Sequence, residues 1–230
     1  MLNKCFMKYL KVKLVSLCLL AGHPLMGQND FGSSLSVDVT KKIVPGLSLS
    51  LEEEFRLRDN LGEAGRFSTT LDLSYKPWKF LKLGGAYNLI NYNHETKGWE
   101  VRHRYYFYAT GSYRIDRFTV SLRERFQSTY RVGIKETSKR ANPKLYLRSR
   151  LEVEYDIRNC KFEPYASVEL YNTLNDPQGN KMNKLKYTAG SKYKLNKRNS
   201  LQLYYRYINF KDDDEANGKH MIGLGYSYKF

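Results

Sequence analysis

His103, Glu124 and Ser149 carry the groups of a serine hydrolase: an imidazole base, a carboxylate to orient it and a hydroxyl nucleophile. They fall on three successive strand-like segments and share the apolar face of each. A lipid-facing hydrolase is therefore the first chemistry to weigh, and the spacing opposes it. If the chain reverses at Arg114-Ile115-Asp116-Arg117, Glu124 stands opposite Ala109, which lies ~20 Å along the strand from His103. Catalytic partners must come within hydrogen-bond reach, about 3 Å. The His-x-Ser arrangement of outer-membrane lipid deacylases and phospholipases is also absent, since His103 precedes Arg104-Tyr105 and His220 precedes Met221-Ile222. A lipid-modifying hydrolase stands as the alternative reading, with no catalytic residue assigned.

A second set of reactive groups has the opposite parity. Glu52, Glu54, Arg56, Arg102, Arg104, Arg123, Arg125, Arg148, Arg150, Glu152, Glu154 and Glu169 share the polar faces of their segments. A small soluble core could not hold so many charges without a severe desolvation cost, so they face water or a polar lumen. Reversal at Asp156-Ile157-Arg158-Asn159-Cys160 places Arg148 near Glu169. The lattice either satisfies a narrow lumen or, through its excess of Arg, forms a path for anionic solutes. The run Asp212, Asp213, Asp214, Glu215 has the charge of a Ca²⁺ loop but neither its alternating ligand spacing nor its central Gly. It reads as a solvated loop tip, and no metal or other cofactor is expected.

The elements that position these groups are strands. "LSLSLEEEFRLR" sets Leu47, Leu49, Leu51, Phe55 and Leu57 against Ser48, Ser50, Glu52, Glu54, Arg56 and Arg58. "FSTTLDLSY" does the same with Phe67, Leu71, Leu73 and Tyr75. Further period-two runs start near Leu81, Trp99, Phe118, Leu145, Phe162, Leu185, Leu201 and His220, with a less regular one from Phe31 to Val39. Short connections ("KPWK", "RIDR", "DIRNC", "LNKRN") alternate with longer ones ("RDNLGEAGR", "NYNHETKG", "RVGIKETSKRANP", "NDPQGNKMN", "FKDDDEANGK"). Beside the short turns, Tyr75, Tyr113, Phe118, Tyr155, Phe162, Tyr193 and Phe230 all fall on the apolar face, the pattern of a membrane-interface girdle. The fold class is all-β, a transmembrane antiparallel barrel of outer-membrane type with 10–12 strands. Eleven segments are visible where an even number is usual, so either the Phe31 segment is not in the wall, giving ten, or a crossing is missed, giving twelve. Glu53 and Glu124 carry the parity of the lipid face; either a β-bulge turns them inward or they are protonated. A lumen of this strand number is largely filled by side chains, so no large open pore is expected.

The N-terminus supplies the compartment. Lys4, Lys8, Lys11 and Lys13 precede the apolar run Leu14 to Ala21, the pattern of a secretory signal peptide over residues 1–27, followed by one barrel domain over 28–230. Its loss leaves a formal charge of +12 in place of +16 and Cys160 as the remaining thiol, so no internal disulfide is expected. Cys18 lies inside the apolar run after Leu17, which argues against lipidation. Basic charge with 20 Tyr is a composition that nucleic-acid binders share, but those residues are spread over every strand and no such partner is expected. Lys135, Lys139 and Arg140 suit lipopolysaccharide headgroups better. The expected setting is the outer membrane of a Gram-negative bacterium, as a monomer among lipid and lipopolysaccharide.

The final segment alternates to its last residue, with Ile222, Leu224, Tyr226, Tyr228 and Phe230 on one face. It resembles the C-terminal signature of outer-membrane barrels, which implies that Tyr226, Tyr228 and Phe230 are read by the barrel-assembly machinery. "LSLSLEEEFRLRDN", "RFSTTLDLSYKP", "LKLGGAYNLI", "VRHRYYFY", "VSLRERFQ", "LRSRLEVEY" and "FEPYASVELY" together resemble the domain-of-unknown-function 2490 family of outer-membrane proteins from Bacteroidota. That resemblance implies a fold and a compartment but no activity. The expected function is a non-catalytic barrel, structural or passing small solutes, anions among them, through a narrow Arg/Glu-lined lumen.

Overall fold

The computed structural model describes residues 30–94, 96–138, 140–211 and 218–230. The signal peptide, Lys139 and the acidic run Asp212 to Glu215 lie outside the described residues. Eleven strands follow one another: β1 (Asp30–Val44), β2 (Leu47–Arg58), β3 (Glu63–Trp78), β4 (Leu81–His94), β5 (Gly98–Ile115), β6 (Phe118–Arg131), β7 (Lys144–Tyr155), β8 (Phe162–Thr173), β9 (Met182–Lys194), β10 (Asn199–Phe210) and β11 (Lys219–Lys229). Each pairs antiparallel with the next, and β1 and β11 run parallel to close the barrel.

The strand number falls within the 10–12 expected, at eleven, so neither even alternative, ten nor twelve, holds. An up-and-down meander with an odd count brings its first and last strands together in the same direction. The ladder from Asp30↔Lys219 to Thr40↔Lys229 satisfies both edges, so no twelfth strand is needed. The Phe31 segment is a wall strand, with Leu35, Val37 and Val39 exposed outward and Ser34 buried inward. Phe230 continues the seam: its N–H donates to the Thr40 carbonyl at 3.0 Å, and its carbonyl accepts from the Lys42 N–H at 3.1 Å. No helix among the described residues is long and apolar enough to cross a membrane.

Two of the connections read as long are mostly strand. β2 and β3 extend to Arg58 and from Glu63, and β4 and β5 to His94 and from Gly98. Polar side chains pair across these extensions, Arg58 with Glu63 at 2.9 Å and Asn93 with Glu63 at 2.7 Å. Positive φ at Asp59, Asn60 and Leu61 makes the reversal between β2 and β3 tight. The longer connections are residues 132–143, 174–181 and 211–218.

The bulge reading of Glu53 and Glu124 also fails. Their registers are uninterrupted, Val37↔Glu53↔Thr69 and Ala109↔Glu124↔Ser149, so both stay on the lipid face. Each has a hydroxyl partner instead: Thr69 donates to Glu53 at 2.9 Å and Ser149 to Glu124 at 2.8 Å. Around the short-turn end, Phe118 packs on Tyr155 with ring centroids 4.7 Å apart, Phe162 on Tyr193 at 4.6 Å and Tyr228 on Phe230 at 5.7 Å. These contacts build the outward aromatic girdle.

Inside, three tyrosines lie over glycines of the neighbouring strand: Tyr108 on Gly84, Tyr165 on Gly190 and Tyr204 on Gly223. A Cβ at Gly84 or Gly223 would overlap the ring. The missing side chains let these rings lie close to the wall rather than project across the lumen.

Candidate functional site

The inward side chains leave a chamber at one end of the lumen and a plug of paired charges beyond it. The chamber occupies the short-turn end, with a volume of about 810 Å³. Eight Lys or Arg and three Asp or Glu line it, so its surface carries a clear excess of positive charge. Lys42, Lys76, Lys82 and Lys229 stand near the strand ends and Arg198 in the β9–β10 turn, where they form a basic rim. Deeper in, Asp38, Glu52 and Asp72 come from β1, β2 and β3, and Arg123, Arg125 and Arg150 from β6 and β7.

Different contacts hold the two deep groups. Tyr108 donates to Asp72 at 2.9 Å and Thr40 to Asp38 at 3.0 Å. Arg125 finds no hydrogen-bond acceptor among the described residues; its guanidinium stacks on the Tyr106 ring at 4.0 Å. Arg150 reaches Glu152 at 3.5 Å. The donor-rich Arg wall is thus only partly neutralised from within the protein.

Beyond the chamber, toward the longer loops, buried charged side chains pair across neighbouring strands. Arg148 Nη2 donates to both oxygens of Glu169 at 2.9 Å, and its Nη1 donates to Gln127 at 2.7 Å. Arg123 reaches the same Glu169 at 2.9 Å, and Tyr171 donates to it at 3.2 Å. Arg148, Glu169 and Tyr171 are 8 %, 7 % and 6 % exposed. A second knot gathers on Glu54, which accepts from Arg56 at 2.7 Å and Ser34 at 2.8 Å, with Arg66 at 3.5 Å. In each knot one carboxylate serves two guanidiniums. Buried ions of this kind hold their places by mutual pairing and hydrogen bonding.

The twelve charges expected in the lumen do not form one lattice. Glu54, Arg56, Arg148 and Glu169 belong to the plug, with Arg123 joining it to the chamber. Glu52, Arg125 and Arg150 line the chamber. Arg102 pairs with Glu100 at 3.0 Å near the loop end, and Glu154 with Lys192 near the turns. Arg104 Nε donates to Thr129 at 3.1 Å. Asp38, Arg66, Asp72, Lys82, Tyr171 and Lys186 were not singled out. Each sits at an inward position of its strand, and that parity was the available signal.

The hydrolase ingredients are not assembled. Ser149 and Glu124 are bonded, but His103 lies opposite Leu89 and Tyr130 and shares a 2.7 Å hydrogen bond with Tyr87. Ala109 faces Glu124, the register that the Arg114–Arg117 turn implies. No cluster of His, Cys, Asp or Glu suited to a metal ion occurs among the described residues.

Residues 31–219 match a family model described as "Protein of unknown function (DUF2490)". The chain belongs to this family. No curated protein matches it. Among solved structures, the NanC porin aligns with 14% identity and a TM-score of 0.58 over 87% of this chain and 99% of that one. The KdgM porin in complex with disordered oligogalacturonate aligns with 13% identity and a TM-score of 0.45, over 79% of this chain and 90% of that one. The β domain of the Bordetella autotransporter Brka aligns with 15% identity and a TM-score of 0.48, over 82% and 86%. The NanC likeness places this member of the family in the porin-like class of outer-membrane barrel folds, and at such identity it speaks for the fold alone.

Proposed function

We propose that this family member is a non-catalytic outer-membrane barrel that admits small anionic solutes through a narrow, basic lumen. One observation carries the reading: the chamber of about 810 Å³ sets eight basic side chains against three acidic ones. Low-dielectric walls of one predominant charge raise the local concentration of oppositely charged solutes. The short turns face the periplasm in barrels of this type, and the girdle and the exposed apolar belt support that setting. Beyond the chamber, a solute passes by displacing the long side chains of the plug, so conductance is small. The separation of His103 from Glu124 and Ser149 speaks against the hydrolase alternative. Tyr226, Tyr228 and Phe230 serve in this reading as the segment offered to the assembly machinery, and lipopolysaccharide covers the loop end.

The test is uptake into proteoliposomes holding the folded protein. Acetate and phosphate should enter faster than ammonium-bearing solutes of equal size. Equal exclusion of all of them would mean a sealed barrel, and faster entry of cations would reverse the assignment.

A further inference from the structure

The charges deep in the chamber are sorted by side. Asp38, Glu52 and Asp72 stand on β1–β3, while Arg123, Arg125 and Arg150 stand on β6 and β7, about four strands further round an eleven-stranded wall. Both groups lie at similar depth: Glu52, Arg123 and Arg150 are each five residues from the short-turn end of their strand, and Asp38 and Asp72 six. Among the described residues no ion pair joins the two walls; Asp38 and Asp72 accept from Thr40 and Tyr108 hydroxyls, with the Lys82 and Lys229 ammoniums of the rim nearby but in no ion pair with them, and Arg123 and Arg150 reach Glu169 and Glu152. Glu52 and Arg125 have no hydrogen-bond partner of their own among the described residues.

We infer that this chamber is a binding site for small zwitterions, the carboxylate on the Arg wall and the ammonium on the acidic wall. The inference rests on the anion-admitting reading and deepens it, since the basic rim favours entry by the carboxylate end. A plain anion uses only one wall and meets the acids as a repulsive surface, whereas a solute with both charges offsets both walls at once. The site selects a dipolar solute within a chamber whose excess charge is positive.

Isothermal titration calorimetry on the folded protein in detergent micelles tests it, with 4-aminobutyrate, 6-aminohexanoate and 8-aminooctanoate as probes. Each is compared with the carboxylic acid, the amine and the hydroxy acid of equal length. One of the amino acids should bind about tenfold tighter than its three analogues. A combined Asp38→Asn, Glu52→Gln, Asp72→Asn variant should bring it down to the level of the carboxylic acid; Glu52→Gln alone should weaken it several-fold if the triple variant does not fold. Arg125→Gln should weaken amino acid and carboxylic acid alike. Equal binding of the hydroxy acid or the carboxylic acid, or no binding by any probe, would overturn the inference. Anion-selective uptake with no zwitterion preference would sink this inference alone, whereas amino-acid binding without anion uptake would sink the passage reading and leave the site.

Discussion

Glu169→Gln removes the charge that two guanidiniums share, Arg148 buried and Arg123 at the chamber edge. The carboxylate accepts two bonds from Arg148 and one from Arg123, all at 2.9 Å. Glutamine keeps one carbonyl acceptor and loses the negative charge, so Arg148, itself 8 % exposed, has no counter-ion. Breaking a buried pair from one side costs about 3–5 kcal/mol, and the remaining amide hydrogen bond returns on the order of 1 kcal/mol. The expected loss is therefore roughly 2–4 kcal/mol of unfolding free energy. Urea unfolding in lipid-detergent micelles, followed by tryptophan fluorescence and by the gel shift of folded protein before and after boiling, reads it directly. Changing both partners, Arg148→Met with Glu169→Leu, should recover about half: no unpaired charge is left between them, Arg123 can turn to the chamber water, and the remaining loss is one hydrogen bond each at Tyr171 and Gln127. A loss below about 0.5 kcal/mol for the single change would refute the plug as a set of interdependent ion pairs.

Other outcomes follow from the same geometry. Gly84→Val drives Tyr108 off the wall, breaks its bond to Asp72 and narrows the chamber; it should lower anion uptake and cost about 1–3 kcal/mol in the same unfolding assay. His103→Ala and Ser149→Ala should leave lipid release from vesicles at the level of protein-free controls, and hydrolysis lost on those changes would establish an enzyme. Deleting Phe230 removes the 3.0 Å and 3.1 Å bonds to β1 and the ring packed on Tyr228. It should reduce folded, heat-modifiable protein in the outer membrane, and an unchanged yield would show that the residue is one more girdle aromatic.

Strand identity was legible because period-two alternation is local: every residue of β6 declares its face through its neighbours. The Arg148–Glu169 contact was legible for a related reason, since parity and the position of one turn place the two side chains on adjacent strands. Closure is global, and nothing within Phe31 to Val39 reveals that this strand runs parallel to β11; hence the even count failed. The sorted chamber was hidden too. Asp38 and Arg150 lie on different ladders, far apart in sequence, and reach similar depth only through strand tilt and barrel stagger. The loop lengths misled because Glu63 and Asn93 are polar enough to read as loop, although they pair as strand ends.

The most direct test of the basic chamber is the reversal potential of the reconstituted protein in a planar bilayer under a KCl gradient, repeated with Lys82→Ala, Arg125→Ala and Arg150→Ala combined. Small conductances with a reversal potential of the sign set by chloride permeation, moving toward zero in the combined variant, are expected. A sign set by potassium, or chloride selectivity untouched by removing those three charges, would contradict it.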